Sequence, residues 1–492
     1  MKYFYLLIFL FFPLFSGAQN LQTYVQARLQ HPVLNGAWWG GYAAYDDAEI
    51  FSVQADARFT PASTLKLLTT AAALEMLGPH HRFQTRLYAQ HRPDERGVLN
   101  GNLYLQGGAD PTLGSTRVTG GETWQDVAAR WARAVKRAGI TRVEGSIIAD
   151  ESAFEGPSIP NKVNWENIGN YYAAPASPLC FNDNSFEIHF KPQPRADKPA
   201  EVEKTVPQVP DLTLKSFVTT DGKTKKDNAY AYGAPNQYEM ELYGTIPTNF
   251  MGFSIKAALP NPAQFAAEAL HNALRAEGIA VGGRPSATQT GPDYTQMQLL
   301  DTYESPELKD IVVIVNKRSF NLYAEMLLRN LALHAGKKGS VQNGLNELYA
   351  FLKKNHLADE KTAVLYDGSG LSRDNMLTPR TLVNTLLFMA KSPNFPYYYN
   401  SLATPDDRGD LLLLRRFLKP KKKVQEVRVK GGTIDGVKAL AGYTHDKDGR
   451  LIAFALMANN LASKDEALFR IHEDIIKHLL ALPEQTKNNR PF

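Results

Sequence analysis

The feature that most constrains the fold is a run of strong helix-forming residues that begins after Pro61 and continues to Leu77. Apolar residues recur on one face of this run at helical spacing, at Leu65, Leu68, Ala72 and Met76. Gly78 then supplies a C-terminal stop. The pattern predicts a buried helix with Ser63 at its beginning and a core packed around it.

Ser63 and Lys66 are three residues apart, so their side chains can meet on one side of this helix. Holding the Lys66 ammonium at the edge of an apolar core lowers its pKa, and a neutral amine can take the proton of the Ser63 hydroxyl. Backbone N–H groups at the helix start add positive potential where an oxyanion would form. The stretch therefore offers a nucleophile and its base. Ser-x-x-Lys also arises by chance, and serine at a helix start is often only a cap, so other motifs have to decide.

Composition indicates a large globular protein. The chain has 492 residues, 43% hydrophobic and 21% charged, a length that predicts more than one domain. The net charge is only +5, with basic and acidic residues interspersed, so no nucleic-acid partner is predicted.

The N-terminus predicts export. Residues 1–18 carry a basic Lys2, an apolar run and a small-residue site at Ser16, Gly17 and Ala18, the pattern of a secretory signal peptide cleaved after Ala18. The apolar run is too short for a comfortable membrane span and no other stretch is long enough. Cys180 is the single cysteine, so it forms no intramolecular disulfide, and we interpret it as a small buried hydrophobe.

Secondary-structure signals predict an α+β protein with several domains. Residues 34–46 and 49–54 resemble strands before the Ser63 helix, and strands at 436–444 and 451–459 form a C-terminal meander. Helices are predicted at 305–316, 321–333, 339–355 and 378–391. Residues 82–259, between the Ser63 helix and these later helices, are rich in short strand-like runs and polar loops. Together these signals predict an antiparallel sheet covered by helices, with a β-rich insertion.

A second candidate motif is Ser319 and Asn321, which lie between the helices at 305–316 and 321–333. Two residues apart on a helix, their side chains would diverge, but on a turn they can face the same way. A hydroxyl and an amide together suit proton relay and a hydrogen bond to a peptide group. A capping serine followed by an ordinary asparagine is the alternative.

A third motif follows a predicted strand, where Lys430 precedes Gly431, Gly432 and Thr433. Two glycines let a ligand backbone approach and pair like an added strand. Lys430 supplies positive charge for a carboxylate. The alternative is a glycine-rich hairpin with a surface lysine.

In this order, Ser-x-x-Lys, Ser-x-Asn and Lys-x-Gly resemble the three-part pattern of penicillin-recognising serine enzymes. The long gap between the first and second motifs resembles the D-alanyl-D-alanine carboxypeptidase/endopeptidases, the class C low-molecular-mass penicillin-binding proteins, whose extra domains are inserted there. Further segments that resemble this family are residues 101–113, 169–175, 182–184 and 367–375.

The resemblance implies a β-lactamase/transpeptidase-like fold and a division into domains. A discontinuous catalytic domain would comprise residues 19–85 and 262–492. An inserted domain II would comprise 86–185 and 244–261, and a small β-rich domain III would comprise 186–243.

The resemblance also implies roles for the motif residues. Ser63 would form the acyl-enzyme, Lys66 would be the base and Ser319 would relay a proton to the leaving amine. Asn321 would hold the substrate amide, and Lys430 would attract the terminal carboxylate. The backbone N–H groups of Ser63 and Thr433 would form the oxyanion hole. The implied substrate-binding residues are Tyr172, Arg373, Gly432, Thr433 and Asp435.

The implied function is a periplasmic serine-type D-Ala-D-Ala carboxypeptidase, with DD-endopeptidase activity on peptidoglycan cross-links as a second activity. Its partners would be peptidoglycan stem peptides and β-lactam antibiotics, which it would bind covalently, without a metal or another cofactor. The sequence leaves the oligomeric state open, a homo-oligomer included. The alternatives are a β-lactamase or esterase with the same catalytic set, or a non-catalytic peptidoglycan-binding protein. Fast release of acylated penicillin would indicate a β-lactamase, and no acylation at all would indicate the binding protein.

Two positions depart from the family pattern. Gly431 stands where relatives usually carry Thr or Ser, so one hydroxyl for the substrate carboxylate is missing and recognition of that carboxylate is expected to be weakened or altered. Asn167 stands where relatives carry an acidic residue that meets the substrate's free amine, which leaves the third-position preference open. Asp435 is a candidate to compensate for it.

Overall fold

The computed structural model describes residues 17–223, 228–249, 252–408, 411–421, 423, 426–462 and 466–482. The predicted signal peptide, residues 1–18, lies almost entirely outside these ranges. Within them, no helix is both long enough and apolar enough to cross a membrane.

The helices begin and end close to the predicted signals. The predicted helix at 378–391, for example, is observed with Thr378 as its cap, whose hydroxyl accepts the Thr381 N–H at 3.0 Å. In chain order the helices are α1 (Gly17–Arg28), α2 (Lys66–Leu77), α3 (Trp124–Arg137), α4 (Pro262–Ala276), α5 (Leu308–Lys317), α6 (Asn321–His334), α7 (Val341–Lys354), α8 (Pro379–Lys391), α9 (Phe395–Ser401), α10 (Leu412–Leu418) and α11 (Glu466–Leu480).

The strands are short and fall into several separate sheets. In chain order they are β1 (Trp38–Ala44), β2 (Glu49–Val53), β3 (Gln84–Ala89), β4 (Val98–Leu99), β5 (Leu103–Gln106), β6 (Arg142–Val143), β7 (Ile147–Asp150), β8 (Ser185–Phe190), β9 (Val202–Val206), β10 (Thr213–Ser216), β11 (Thr219–Asp221), β12 (Asn228–Tyr232), β13 (Glu239–Pro247), β14 (Ser254–Ala258), β15 (Ala280–Val281), β16 (Ser286–Thr288), β17 (Gln298–Glu304), β18 (Ala363–Val364), β19 (Met376–Leu377), β20 (Arg428–Ile434), β21 (Val437–His445) and β22 (Leu451–Asn459).

The main sheet is antiparallel, with strand order β2-β1-β22-β21-β20. Alternation along β21 divides its side chains between two cores. Ala439 and Ala441 pack toward α2 and α8, whereas Leu440 packs on the opposite face toward α1 and α11. Small alanines on the first face let the helices approach closely. This arrangement confirms the predicted α+β architecture, an antiparallel sheet covered by helices.

A further core belongs to the insertion. There α3 and α4 pack on a sheet of order β16-β7-β5-β3-β17. The same core continues to two smaller sheets, β14-β8-β9 and β10-β13-β11, the latter with β12 paired to β13. The core of the insertion includes residues beyond 262, as far as Tyr303. The packing therefore favours a boundary near residue 304, where the chain returns to the core around Ser63. The division into domains itself stays a prediction.

Cys180 is fully buried beside the Asn184 amide, which donates to its sulfur at 3.3 Å. Burial raises the pKa of the Cys180 thiol to about 12. The prediction of a small buried hydrophobe is therefore confirmed.

Candidate active site

Ser63 lies in a 3-10 turn, Ala62–Leu65, that leads directly into α2. The sequence predicts one helix from Ser63 onward, but its first turn is a 3-10 turn and the α-helix begins only at Lys66. The backbone is therefore wound more tightly at Ser63 than in an α-helix. Ala62, just before Ser63, has a φ of 46°, in the left-handed region that L-residues rarely adopt. A strained residue beside a candidate nucleophile is typical of a functional site.

Lys66 is fully buried at the first position of α2. Its ammonium donates to the Ser63 Oγ at 3.0 Å, to the Asn321 Oδ1 at 2.7 Å and to the Ser369 carbonyl at 2.5 Å. Burial lowers the pKa of Lys66 to about 7, against the opposing charges of Asp367 and Glu325. A neutral fraction is therefore available at neutral pH to accept the Ser63 proton.

Two buried acidic residues, Asp367 and Glu325, lie near Lys66 and act on its charge. Asp367 accepts the N–H groups of Gly370 and Ser372, each at 2.7 Å, and so fixes the loop that carries Ser369. Glu325 accepts the Gly368 N–H at 3.0 Å from the neighbouring helix α6. Burial raises the pKa of both carboxyl groups, that of Glu325 to about 7. Their charge limits how far the pKa of Lys66 can fall.

Ser319 and Asn321 meet the site at the break between α5 and α6. Ser319 has a φ of 58°, so the chain turns there as the sequence predicts. The Lys430 ammonium donates to the Ser319 Oγ at 2.8 Å. Asn321 accepts from Lys66 through Oδ1 and donates through Nδ2 to the Tyr172 carbonyl at 2.8 Å. The Asn321 amide thus binds protein at both ends in this state.

Strand β20 forms one edge of the main sheet and faces Ser63. Val429 exchanges both backbone hydrogen bonds with Ala403, on the edge away from β21. Because backbone groups alternate between the two edges of a strand, the Thr433 N–H also points to that edge. A Cβ on Gly432 would lie 2.6 Å from the Pro61 carbonyl oxygen and 3.0 Å from the Ser63 nitrogen. Glycine at 432 therefore allows the strand to lie against the nucleophile's backbone.

Gly431 is covered by the guanidinium of Arg408. A Cβ built on Gly431 would collide with both Nη atoms and with Cζ of Arg408. Arg408 itself is half-buried, and it follows Asp407, whose carboxylate lies 3.5 Å from the Lys317 ammonium. The space of the absent threonine or serine side chain is thus filled by a cation.

Four of the motif residues, Ser63, Ser319, Asn321 and Thr433, line one cavity of about 590 Å³. Thr433 is exposed at its rim, and the Lys438 ammonium donates to its hydroxyl at 3.1 Å. Arg373 is also exposed and donates to the Asp435 carbonyl at 2.8 Å. The cavity lining includes Ser63, Tyr172, Ser319, Asn321, Arg373 and Asp435. The structure therefore brings the predicted catalytic and substrate-binding residues together.

The sequence around this site matches a known peptidase family. Residues 21–479 match the model of the D-Ala-D-Ala carboxypeptidase 3 (S13) family.

The chain belongs to this family.

Named relatives agree with the S13 assignment. A D-alanyl-D-alanine carboxypeptidase from an Actinomadura species is 28% identical over 489 residues, which cover 93% of this chain and 86% of the relative. The D-alanyl-D-alanine carboxypeptidase DacB of Haemophilus influenzae is 26% identical over 411 residues, 82% of this chain and 81% of that protein. The chain is thus a hydrolase of the S13 family of serine peptidases, as the sequence predicts.

The fold agrees as well. The crystal structure of penicillin binding protein 4 from Haemophilus influenzae matches 93% of this chain and 99% of its own, with a TM-score of 0.78 at 22% identity. The same protein complexed with a β-lactam matches with a TM-score of 0.73 at 21% identity. The predicted penicillin-binding fold is confirmed.

Sequence reasoning missed several residues at this S13 site. Arg408 lies 22 residues before Lys430 in a segment without a motif. Arg408 lies against Gly431, whereas Tyr230 and Tyr232 of β12 and Glu166 of the 3-10 helix Trp165–Asn167 line the cavity itself. No local pattern links these residues to Ser63, because only tertiary folding brings the insertion against the catalytic core.

Proposed function

We propose that Ser63 carries out D-Ala-D-Ala hydrolysis through an acyl-enzyme, in the periplasm, on peptidoglycan stem peptides. The observation that carries this proposal is the 3.0 Å hydrogen bond between the Lys66 ammonium and the Ser63 Oγ, on a lysine whose pKa burial lowers to about 7. The family match to residues 21–479 supports the reaction class.

In the first half-reaction, the Ser63 Oγ attacks the carbonyl carbon of the penultimate D-Ala while neutral Lys66 takes the hydroxyl proton. The oxyanion is stabilised by the N–H groups of Ser63 and Thr433. The C–N bond then breaks, and the proton that Lys66 accepted passes through the Ser319 hydroxyl to the leaving amine, which returns Lys66 to its neutral form; the Lys430 ammonium holds that hydroxyl at 2.8 Å.

In the second half-reaction, water attacks the ester carbonyl with Lys66 again accepting a proton, and Ser63 is released with its hydroxyl restored. Asn321 acts here as a positioning residue, because its side chain joins Lys66 to the Tyr172 carbonyl. We assign the substrate amide to the edge of β20, where the N–H groups of Gly431 and Thr433 face the cleft.

The terminal carboxylate meets a cluster of cations in this proposal. Lys430 and Lys438 flank Thr433, and Arg408 fills the space beside Gly431. A guanidinium can bind a carboxylate through two parallel hydrogen bonds, which a threonine hydroxyl cannot. Carboxylate recognition is therefore rerouted to Arg408 and the Thr433 hydroxyl.

The same chemistry extends to two further substrates. Cross-link cleavage needs room for a leaving group larger than D-Ala, and the cavity of about 590 Å³ opens beyond Thr433 toward Arg373. Glu166 and Asp435 line that cavity, and a carboxylate suits a free amine. β-Lactam binding is supported by the β-lactam complex of Haemophilus influenzae penicillin binding protein 4.

The test is release of D-Ala from a peptide ending in D-Ala-D-Ala, measured beside Ser63→Ala, together with intact-mass analysis after incubation with benzylpenicillin. We expect D-Ala release and a stable adduct only with the native protein. Neither product nor adduct, with the drug intact, would contradict an enzyme and favour a wall-binding protein. Drug consumption without an adduct would indicate a β-lactamase.

A further inference from the structure

Aromatic side chains continue the wall of the catalytic cavity onto the surface of the insertion. We call Trp165, Phe217, Tyr230, Tyr232 and Tyr243 the aromatic platform. Two of them, Tyr230 and Tyr232, line the cavity together with Ser63. Phe217 and Tyr243 extend away from it along the sheet formed by β10, β11, β12 and β13, and Trp165 lies beside Tyr232 in the 3-10 helix Trp165–Asn167.

The rings form one connected row. Trp165 lies 4.9 Å from Tyr232, and Tyr232 lies 5.6 Å from Tyr243, measured between ring centroids. Phe217 stacks on Tyr243 at 4.9 Å with an interplanar angle of 16°. Tyr230 is paired directly opposite Tyr243 across β12 and β13. The rings are therefore in contact with one another and form one continuous aromatic surface.

The platform is exposed although its rings are large and apolar. Trp165 is 71% exposed, Phe217 54% and Tyr230 45%. The other face of the same sheet is buried, with Ala231 and Leu242 in the core, so alternation along the strands sends the aromatic rings outward. A contiguous exposed apolar surface of this kind is typical of a binding site.

Polar groups border the rings and would suit a hydroxylated ligand. The Tyr243 hydroxyl donates to Glu241 at 2.9 Å, and Glu239 pairs with Lys215 on the same face. These groups offer both acceptors and donors beside flat apolar faces. A pyranose has the matching arrangement, with a C–H face that stacks on a ring and hydroxyl groups around its edge.

We propose that the aromatic platform binds the glycan strand of peptidoglycan and so presents the attached stem peptide to Ser63. The inference rests on the proposed function, because a D-Ala-D-Ala stem peptide is covalently joined to that glycan. The continuity of the platform with the cavity supports this occupant over an unrelated protein, since a stem peptide bound in the cavity is joined to a sugar only a few residues of chain away, and the platform extends from Tyr230 and Tyr232 in the cavity wall.

The experiment uses peptide-free glycan strands, prepared from sacculi with an amidase, in a pull-down and titration with the mature protein. Phe217→Ala and Tyr243→Ala are the test variants, since both side chains lie outside the cavity lining. Trp38→Ala is the matched control, because Trp38 is 59% exposed but lies on β1 of the main sheet. We expect each test variant to bind glycan about tenfold more weakly, and the control to bind like the native protein.

A second measurement separates this inference from the proposed function. Hydrolysis of a free D-Ala-D-Ala peptide should be unchanged in Phe217→Ala and Tyr243→Ala, whereas hydrolysis on intact sacculi should fall several-fold. Free-peptide hydrolysis without glycan binding by the native protein would overturn the platform and leave the enzyme standing. Glycan binding without hydrolysis of the free peptide would overturn the proposed enzyme activity and leave the platform standing. Loss of self-association in the test variants, with glycan binding unchanged, would overturn the inference and assign the face to a second copy of the chain.

Discussion

The guanidinium of Arg408 lies where a side chain at position 431 would project, so Arg408 and Gly431 form a matched pair. A threonine at 431 would require the guanidinium of Arg408 to move out of this space. The edge of β20 beside Lys430 therefore presents a guanidinium next to a position without a side chain. Because a carboxylate binds a guanidinium more strongly than a neutral hydroxyl, this arrangement predicts a direct role for Arg408 in substrate recognition.

Arg408→Ala should lose this recognition. We expect kcat/KM for a peptide ending in D-Ala-D-Ala to fall about 10- to 100-fold, the size of one charge-assisted hydrogen bond. The same peptide with a C-terminal amide should be hydrolysed equally by native and variant protein. Arg416→Ala, an exposed arginine on the nearby helix α10, is the control. An equal loss on acid and amide substrates would show that Arg408 acts through structure.

The steric relation predicts a second result. Gly431→Thr alone should reduce acylation with little change in stability, because the new side chain displaces the guanidinium at the end of the flexible Arg408 side chain. The double variant Gly431→Thr with Arg408→Ala should acylate faster than Arg408→Ala alone, since it supplies a hydroxyl where the guanidinium lay. A double-mutant cycle with no coupling would contradict this arrangement.

Acylation should depend on pH through Lys66. Burial lowers the pKa of Lys66 to about 7, and only the neutral amine can accept the Ser63 proton. The rate constant for acylation by benzylpenicillin should therefore rise with pH, with a midpoint near 7, and level off above it. Below the midpoint it should fall about tenfold per pH unit. Melting temperatures over the same range serve as the control for unfolding. A rate that falls as pH rises through 7 would exclude Lys66 as the base.

Ser319 allows its hydroxyl to be tested apart from its backbone. With a φ of 58°, Ser319 is in a conformation that glycine adopts without strain, so Ser319→Gly should keep stability within about 1 kcal/mol of native. Turnover should still fall about 10²- to 10⁴-fold, because the hydroxyl that Lys430 holds and that passes a proton to the leaving amine is lost. His356→Gly, at a φ of 55° on an exposed loop, is the matched control. Normal turnover in Ser319→Gly would remove the hydroxyl from the mechanism.

Local patterns in the sequence were sufficient for the motif residues. Ser63 and Lys66 share one turn of chain, and the left-handed Ser319 sits at the predicted break between two helices. The strands β21 and β22 were also predicted within one residue, because alternation and the turn at Asp446 define them locally. Such features depend on near neighbours only.

Contacts between segments that are distant in the chain could not be predicted from local sequence patterns. Arg408 meets Gly431 from another part of the chain, and Tyr230 and Tyr232 reach the cavity from the insertion. The double engagement of Asn321, by Lys66 and by the Tyr172 carbonyl, likewise needs three separate segments to be placed together. None of these pairings leaves a periodic signal in the sequence.

Gly432 should prove as restrictive as the catalytic side chains, for a steric reason. A Cβ there would lie 2.6 Å from the Pro61 carbonyl oxygen, and a backbone atom cannot move aside as a side chain can. In Gly432→Ala the strand β20 must therefore shift away from Ser63, which misplaces the Thr433 N–H in the oxyanion hole. A displacement near 1 Å costs about 10²-fold in rate.

The measurement is acylation by benzylpenicillin alongside thermal unfolding. We expect a rate loss of about 10²-fold with a stability loss of about 1–3 kcal/mol, the usual cost of overpacking. Gly222→Ala is the control, because the nearest atom to its new Cβ is 3.5 Å away. Native-like acylation in Gly432→Ala would mean that β20 does not contribute to the oxyanion hole, and the assignment of the Thr433 N–H would fall with it.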